Sequence, residues 1–266
     1  MKRISTTILL LASAWILFTS HEFWLAPHSF HYKPGEAVEL DLRVGEDFHG
    51  DIWGARKKRT ASVTHYFGKQ KEDLTLQALA TDSAAIIFKC KKAGTQLLAM
   101  RSSNSFIALE ADKFNDYLKE DGIENILALR EKQGQLDKPS REWYQRCAKS
   151  LLQVGKKTDN TYAINCGMPL EIIPLQNPYQ LKVGDQLPVK ILFEGKPLAD
   201  AAVRSWQKMD ETKTNQGSAR TNAQGIAQIT LNAKGTWMIS LVRMVETADR
   251  SEADYQSYWA SLTFEM

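Results

Sequence analysis

The sequence is short of several things, and each shortage excludes a class of protein. It has three cysteines, Cys90, Cys147 and Cys166, and no Cys-x-x-Cys pair, so a thioredoxin-like redox centre and a zinc ribbon have no support. There is no Gly-x-Ser-x-Gly, no His-Glu-x-x-His and no phosphate-binding loop, and no histidine follows His65 to serve a nucleophile. Paired carboxylates are plentiful, but no spacing singles one pair out. An excess of one charge is also missing: 34 Lys and Arg face 31 Asp and Glu. That balance argues against a nucleic-acid partner and against a polybasic membrane face. After residue 20 no apolar run approaches the roughly twenty residues that span a bilayer, which predicts no transmembrane segment and a soluble mature chain. Internal repeats and low-complexity stretches are absent.

What is present begins with an export signal. Met1-Lys2-Arg3 is a short basic start, and the apolar run from Ile8 to Phe18 is broken only by Ser13. This is the pattern of a secretory signal peptide over residues 1–20. At about eleven residues the run is too short to cross a bilayer. A cut after Ser20 makes His21 the first residue of the mature chain. An exported chain meets an oxidising compartment, where cysteines are disulfide candidates. The expected bridge is Cys147–Cys166, worth on the order of 3 kcal/mol by loop closure, with Cys90 left as a buried thiol.

The expected architecture is mainly β. Residues 21–110 read as strands: "EAVELDLRV" alternates Val38, Leu40, Leu42 and Val44 against Glu39, Asp41 and Arg43. "AAIIFKCKKAGTQLLAMRS" reads as two strands around Lys92-Ala93-Gly94. Residues 111–153 change period and predict a helical insert. "DKFNDYLKEDG" and "IENILALREKQG" carry helical stripes, and "SREWYQRCAKSLLQVG" is read as a third helix from Trp143, Tyr144, Cys147, Leu151 and Leu152. Residues 168–266 return to strands, with turns at Glu194-Gly195, Asn222–Gly225 and Lys234-Gly235. Strand spacing near ten residues predicts immunoglobulin-like β-sandwich units on either side of the insert.

All five histidines, His21, His28, His31, His49 and His65, fall in the first quarter of the chain. Histidine is the commonest side-chain ligand of nickel, cobalt, copper and zinc. An N-terminal His21 would offer both its α-amine and its ring nitrogen to one metal. The amine's ordinary pKa of about 7.7–8.0 makes deprotonation easy at neutral pH. His49, in "EDFHGD", and His65, in "VTHYFG", are the expected partners. His28 and His31 lie too near the chain start to fold back onto it. Asp47, His49 and Asp51 share one face only if the strand persists past Gly50. Phe23 and Trp24 are expected to anchor the terminus to the core, and Trp206, Trp237 and Trp259 to lie within it.

Several stretches together, "HEFWLAP", "PGEAVELDLRVGEDFHGD", "FIALEADKFNDYLKEDGIENILALR", "PLEIIPLQNPYQLKVGDQLPVKILFEGKPLADAAV" and "TNAQGIAQITLNAKGTWMISLVRM", resemble a family of exported proteins containing a domain of unknown function. Its members are described as the periplasmic component of a cobalt or nickel uptake system. The resemblance implies a periplasmic, β-rich protein whose C-terminal half is similar to transthyretin-like or immunoglobulin-like modules. His21, Phe23 and Trp24 match the family's start, and Gly45, Glu46, Gly50 and Asp51 its next motif. The resulting expectation is a non-catalytic periplasmic protein that binds divalent nickel or cobalt and serves a membrane metal transporter. The rival expectations are a metal-free envelope binding or scaffold module and, as an enzyme, a copper histidine-brace oxygenase.

Overall fold

The computed structural model describes residues 22–54, 56–210 and 213–266. The expected signal peptide and His21 lie outside the described residues. The chain first runs through β1 (Glu22–Pro27), β2 (His31–Tyr32), β3 (Ala37–Glu46), β4 (His49–Ile52), α1 (Arg56–Arg59), β5 (Thr60–Phe67), β6 (Gln70–Asp73), α2 (Thr75–Ala80), β7 (Ile86–Lys89), β8 (Gly94–Ser102) and β9 (Ser105–Leu109). Two helices follow, α3 (Ala111–Glu120) and α4 (Glu124–Lys132), and then the fifteen-residue strand β10 (Ser140–Val154). The remainder is β11 (Leu170–Pro174), β12 (Gln186–Phe193), β13 (Lys196–Pro197), β14 (Ala202–Asp210), β15 (Lys213–Arg220), β16 (Ile226–Thr230), β17 (Thr236–Glu246) and β18 (Tyr255–Glu265).

These strands form three sheets. A ten-stranded sheet runs β15-β14-β17-β18-β10-β8-β5-β6, with β2 and β9 also on β10. One four-stranded sheet contains β1, β3, β4 and β7, the other β11, β12, β13 and β16. The two small sheets cover opposite faces of the large one. Leu97, Ala99, Cys147 and Leu151 enter the core shared with Leu170, Val189 and Ile229. Their neighbours in the sequence, Leu98, Met100, Ala148 and Leu152, enter the core shared with Leu25, Leu40 and Leu42. This is the period-two alternation of a strand, here apolar on both faces. The mainly-β expectation and face-to-face sheet packing hold. Residues 21–110 and 168–266 both contribute strands to the ten-stranded sheet.

The larger correction concerns residues 140–154. They form a strand, not the third helix, pairing parallel with β18 and antiparallel with β8 and β9. Every residue from Cys147 to Val154 is buried. A strand buried on both faces reads as a near-continuous apolar run, and such a run supplies i, i+3, i+4 matches by chance. The other two helices hold. α3 buries Phe114 and Leu118 and α4 buries Ile126, against Met244 and Tyr255, and Gly122 and Gly134 follow them with φ of 67° and 60°. The turn at Glu194-Gly195 also holds, both residues having positive φ.

The expected Cys147–Cys166 bridge is not formed, and all three cysteines are free thiols. The reason lies in the connection from β10 to β11, which is wrapped around a buried ion pair. Lys149 Nζ meets Glu171 Oε1 at 2.7 Å and the carbonyls of Ile164 and Ile172 at 3.2 and 3.1 Å. Glu171 in turn accepts backbone N–H bonds from Cys166, Gly167 and Met168 at 2.7, 3.0 and 3.1 Å. Cys166 is thus placed by Glu171, while Cys147 points into the core between the sheets.

Removing Lys149 leaves a buried carboxylate without its counter-charge. Lys149→Met should lower the unfolding free energy by about 3–5 kcal/mol, measured by denaturant unfolding. A loss below about 1 kcal/mol, the level of a surface pair, would show that the connection does not depend on this contact.

Candidate functional site

The described chain starts at Glu22, and that residue is already inside the protein. β1 pairs antiparallel with β3 from Glu22 opposite Gly45 to Pro27 opposite Leu40. Phe23 and Leu25 point into the core under this sheet. Trp24, on the alternate face, packs on Trp206 and Met238. Thr263 Oγ1 donates to the Leu25 carbonyl at 2.9 Å, tying β1 to β18. Glu22 is 6% exposed. Burial, reinforced by the nearby Asp121 charge, pushes its carboxyl up to about 7, against the opposing pull of Arg204, Ser240 and Arg146.

A second buried acid lies in the same region. Glu142 on β10 accepts from Tyr117 OH at 3.2 Å and from Ser257 Oγ, while Trp259 Nε1 donates to Ser257 Oγ at 3.1 Å. Burial raises its carboxyl to about 7, partly offset by the Ser257 and Tyr117 hydrogen bonds and reinforced by Asp121. Asp121, at the end of α3, pairs with Arg204 at 3.0 Å and so links the two acids. The Arg146 guanidinium sits 4.8 Å from the Phe23 ring centre and 6.0 Å from that of Trp53. The buried hydroxyls of Ser261 and Tyr255 have no hydrogen-bond partner among the described residues.

Beyond Gly45, β3 turns into β4 through Asp47 and Phe48, whose φ values are 49° and 64°. Two successive left-handed residues make a two-residue hairpin of the kind that favours Asn-Gly. For a bulky phenylalanine the conformation is an outlier, costing on the order of 1–3 kcal/mol. The turn sets Phe48 edge-on to Trp24, with ring centres 6.0 Å apart. Gly50 is required beneath them, since a Cβ there would meet the Val44 carbonyl oxygen at 2.3 Å and the Trp24 ring at 2.9 Å.

The expected metal ligands are distributed differently from expectation. His21 lies outside the described residues. His49 is exposed and opposite Glu46 at the hairpin end. His65 is a core histidine, 1% exposed. Its Nε2 lies 2.6 Å from Gln96 Oε1, and its ring packs on Phe67 and Phe88 with centres 4.9 and 4.6 Å apart. Burial holds its pKa below the ordinary value. A residue so enclosed does not fit a ligand shared with His49. His28 makes contacts of 3.1 and 3.3 Å with Glu39 and Asp41, and His31 packs edge-on to Tyr179. Among the described residues, no three His, Cys, Asp or Glu side chains form a group able to hold a metal.

The reading from sequence missed Glu22, Asp121, Glu142, Arg146 and Arg204. The available signal was a charged residue at an inward position of an apolar strand, as in "EFWLAP". In β10 it was hidden once that segment was read as a helix.

The family described as "Domain of unknown function (DUF4198)" matches residues 18–244. No curated protein matches the chain. Among solved structures the chain is similar to the D0-D1 domain of Intimin, with 12% identity over 92% of this chain and 98% of that one and a TM-score of 0.22. It is also similar to a marsupial T cell receptor (8% identity, 91% of this chain and 73% of that one, TM-score 0.23). The three N-terminal domains of the bacteriophage RB49 outer capsid protein Hoc give 8% identity, 91% and 70% coverage and a TM-score of 0.21. TM-scores this low leave both arrangement and function to be read from this chain alone.

The two buried acids have a consequence in pH. In the folded chain Glu22 and Glu142 hold their protons up to about 7, whereas in the unfolded chain they release them near the ordinary value of about 4.3. Their contribution is fully present below that ordinary value and is lost as pH rises through about 7. The double variant Glu22→Gln/Glu142→Gln, which mimics the protonated pair, should therefore lose less melting temperature than the wild type between about pH 5 and about pH 8. Equal losses would show that the two acids do not titrate in this range.

Proposed function

We propose, on the premise that the chain belongs to the DUF4198 family and that its activity must be read from its own residues, that this is a non-catalytic periplasmic protein binding a divalent transition metal of the nickel and cobalt class. The metal would be held at the start of the mature chain and passed to a membrane metal transporter. The basic start and short apolar run of residues 1–18 support export. No helix among the described residues is long and apolar enough to cross a membrane.

One observation carries the reading, the strand register beside the chain start. Glu22 is opposite Gly45, Gly45 is opposite Gly50, and the next pair outward is Glu46 with His49. The residue covalently before Glu22 is joined to an anchored position whose Cα is on the order of 10 Å, two strand spacings, from that of Gly50. His21 could then supply its α-amine and ring, and His49 a second imidazole, with Glu46 the nearest carboxylate. Nitrogen donors with one carboxylate suit nickel, cobalt or copper. Glu46 takes the place that His65, enclosed in the core, cannot fill. Anchoring through Glu22, Phe23 and Trp24 supports the reading, because a ligand held in place before binding loses less freedom when the metal arrives.

The test uses protein beginning at His21, titrated with Ni(II) by calorimetry. His21→Ala, His49→Ala and a single Met added before His21 should each weaken binding by roughly ten- to a hundredfold, whereas His65→Gln should leave it unchanged in protein that stays folded. Cu(II) should bind more tightly than Ni(II). An extended form that binds as tightly as the mature one would remove the amine from the site. Absence of binding to any divalent metal would instead favour a metal-free envelope module, and a redox-active copper spectrum the oxygenase.

A further inference from the structure

Two rows of side chains cross the large sheet beyond the end of the small sheet that holds β11 and β12. In the first, Phe106 on β9 is level with Trp143 on β10, and Trp143 with Gln256 on β18 and Val245 on β17. In the second, Gln145 on β10 is level with Tyr258 on β18 and Arg243 on β17. Residues directly opposite in a ladder share a face. The next row on this face, Cys147, Ala260 and Leu241, already lies in the core beneath β11 and β12. That cover stops at Phe193, whose ring packs on Tyr258 with centres 5.5 Å apart. The reverse face of the same strands is closed by α3 and α4. The two rows stay partly exposed, with Phe106 edge-on to Trp143 at 5.1 Å between ring centres. From β9 to β17 they span three strand spacings, on the order of 14 Å.

Arg243 is the residue that packing does not explain. Its guanidinium sits 5.9 Å from the Phe193 ring centre, and its Nε is buried with no hydrogen-bond partner among the described residues. Burial lowers its pKa, and no neighbouring carboxylate opposes that effect. The carboxylates near this end of the sheet are engaged or turned elsewhere: Asp254 is held by Arg141 and Glu246 by Arg250. Burial and then the charge of Glu194 raise the Tyr258 pKa, but Glu194 forms no ion pair with Arg243. A second cation, Arg101, is exposed on β8 near Cys147. A guanidinium withdrawn from water without a counter-charge is unfavourable, and its planar fork suits a ligand carboxylate. The other groups narrow the ligand. The two middle strands, β10 and β18, are paired on both edges here, so a peptide laid on the face would leave its own N–H and C=O groups without partners. A sugar ring needs no backbone partner: its C–H face stacks on an aromatic ring and its hydroxyls bond side-chain amides. Gln145 is one such amide, and Gln256, whose Nε2 is tied to the Ser257 carbonyl at 2.9 Å, offers its Oε1. We propose that this face binds an acidic saccharide, one whose sugar rings carry carboxylates. Trp143 and Tyr258 take the rings, Gln145 and Gln256 the hydroxyls, and Arg243 the carboxylate. The face is separate from the metal site proposed above and does not depend on it.

Calorimetric titration with trigalacturonate, its methyl ester and hexaglutamate tests this, with EDTA present so that no metal takes part. Trigalacturonate should bind about tenfold more tightly than the ester, which keeps the rings and loses the charges. Arg243→Gln should weaken the acid by about tenfold and leave the ester unchanged, whereas Trp143→Ala should weaken both by about tenfold. Arg243→Lys, which keeps the charge and loses the fork, serves if Arg243→Gln does not fold, and should weaken the acid by a smaller factor. Equal binding of acid and ester overturns the proposal, because the face would then ignore the carboxylate. Hexaglutamate binding as tightly as trigalacturonate also overturns it, since the face would then take an acidic peptide. Absence of any heat from trigalacturonate up to about 10 mM, where even weak complexes form, overturns it outright and leaves the metal site standing.

Discussion

β10 must be apolar on two sides at once. It lies inside the ten-stranded sheet, with β18 on one edge and β8 and β9 on the other. Its alternate residues supply two separate cores, Cys147 and Leu151 to one and Ala148 and Leu152 to the other. β10 and β8 carry apolar side chains toward both small sheets, and β14, β17 and β18 on one face and β5 on the other complete the cover. Neither small sheet would have a large buried face without this shared layer. The one charged residue in the buried half of the strand, Lys149, is satisfied by Glu171 and two carbonyls. That contact also fixes the path from the central layer to β11, so the strand sets both the stacking of the sheets and the route between them.

The opposite end of β10 is built on another principle. Where α3 and α4 cover it, the sheet carries Glu142, Tyr144 and Arg146 instead of aliphatic residues. Glu22 brings a further carboxylate to the same layer from β1. Taking two acids out of water is unfavourable, and the raised pKa values of both show that hydrogen bonds and arginines do not fully offset it. Apolar residues of similar volume would serve the fold at least as well.

Legibility in the sequence followed the local physics. "EAVELDLRV" was legible as a strand because its apolar residues share one face and charged residues the other, where Asp41 is buried in an ion pair with Arg43. α3 and α4 were legible because each presents one apolar stripe and ends at a glycine. β10 was not, because burial on both faces erases the alternation that marks a strand. The disulfide expectation failed on similar grounds: spacing places two cysteines near each other in the chain, but Glu171 decides where Cys166 sits. Of the histidines, His65 could not be told from a surface ligand, since Gln96 and Phe88, which enclose it together with its strand neighbour Phe67, come from β8 and β7. The polar cluster around Glu22 assembles from β1, α3, β10, β14, β17 and β18, so no window of sequence contains it.

The strained hairpin and the buried acids lie at neighbouring points on β1. Glu22 is opposite Gly45, the glycine at the base of the hairpin, and Trp24 packs against Phe48 at its tip. Gly45 and Gly50 are needed because the backbones and the Trp24 ring come too close for any side chain. The result is a short, stiff connection from the buried carboxylate, through β1, to the exposed imidazole of His49. Stiffness matters more at a chain start than elsewhere, because termini fray unless tied down. Here the tie is made twice: by an apolar pair, Phe23 and Leu25, facing the core, and by a polar residue, Glu22, facing Asp121, Arg204 and Ser240. The apolar pair gives strength, and the polar residue gives register, since a one-residue slip would move Glu22 to the apolar face and Phe23 among the charges. A register fixed in this way specifies which residues of β1 face the core and which face the polar cluster.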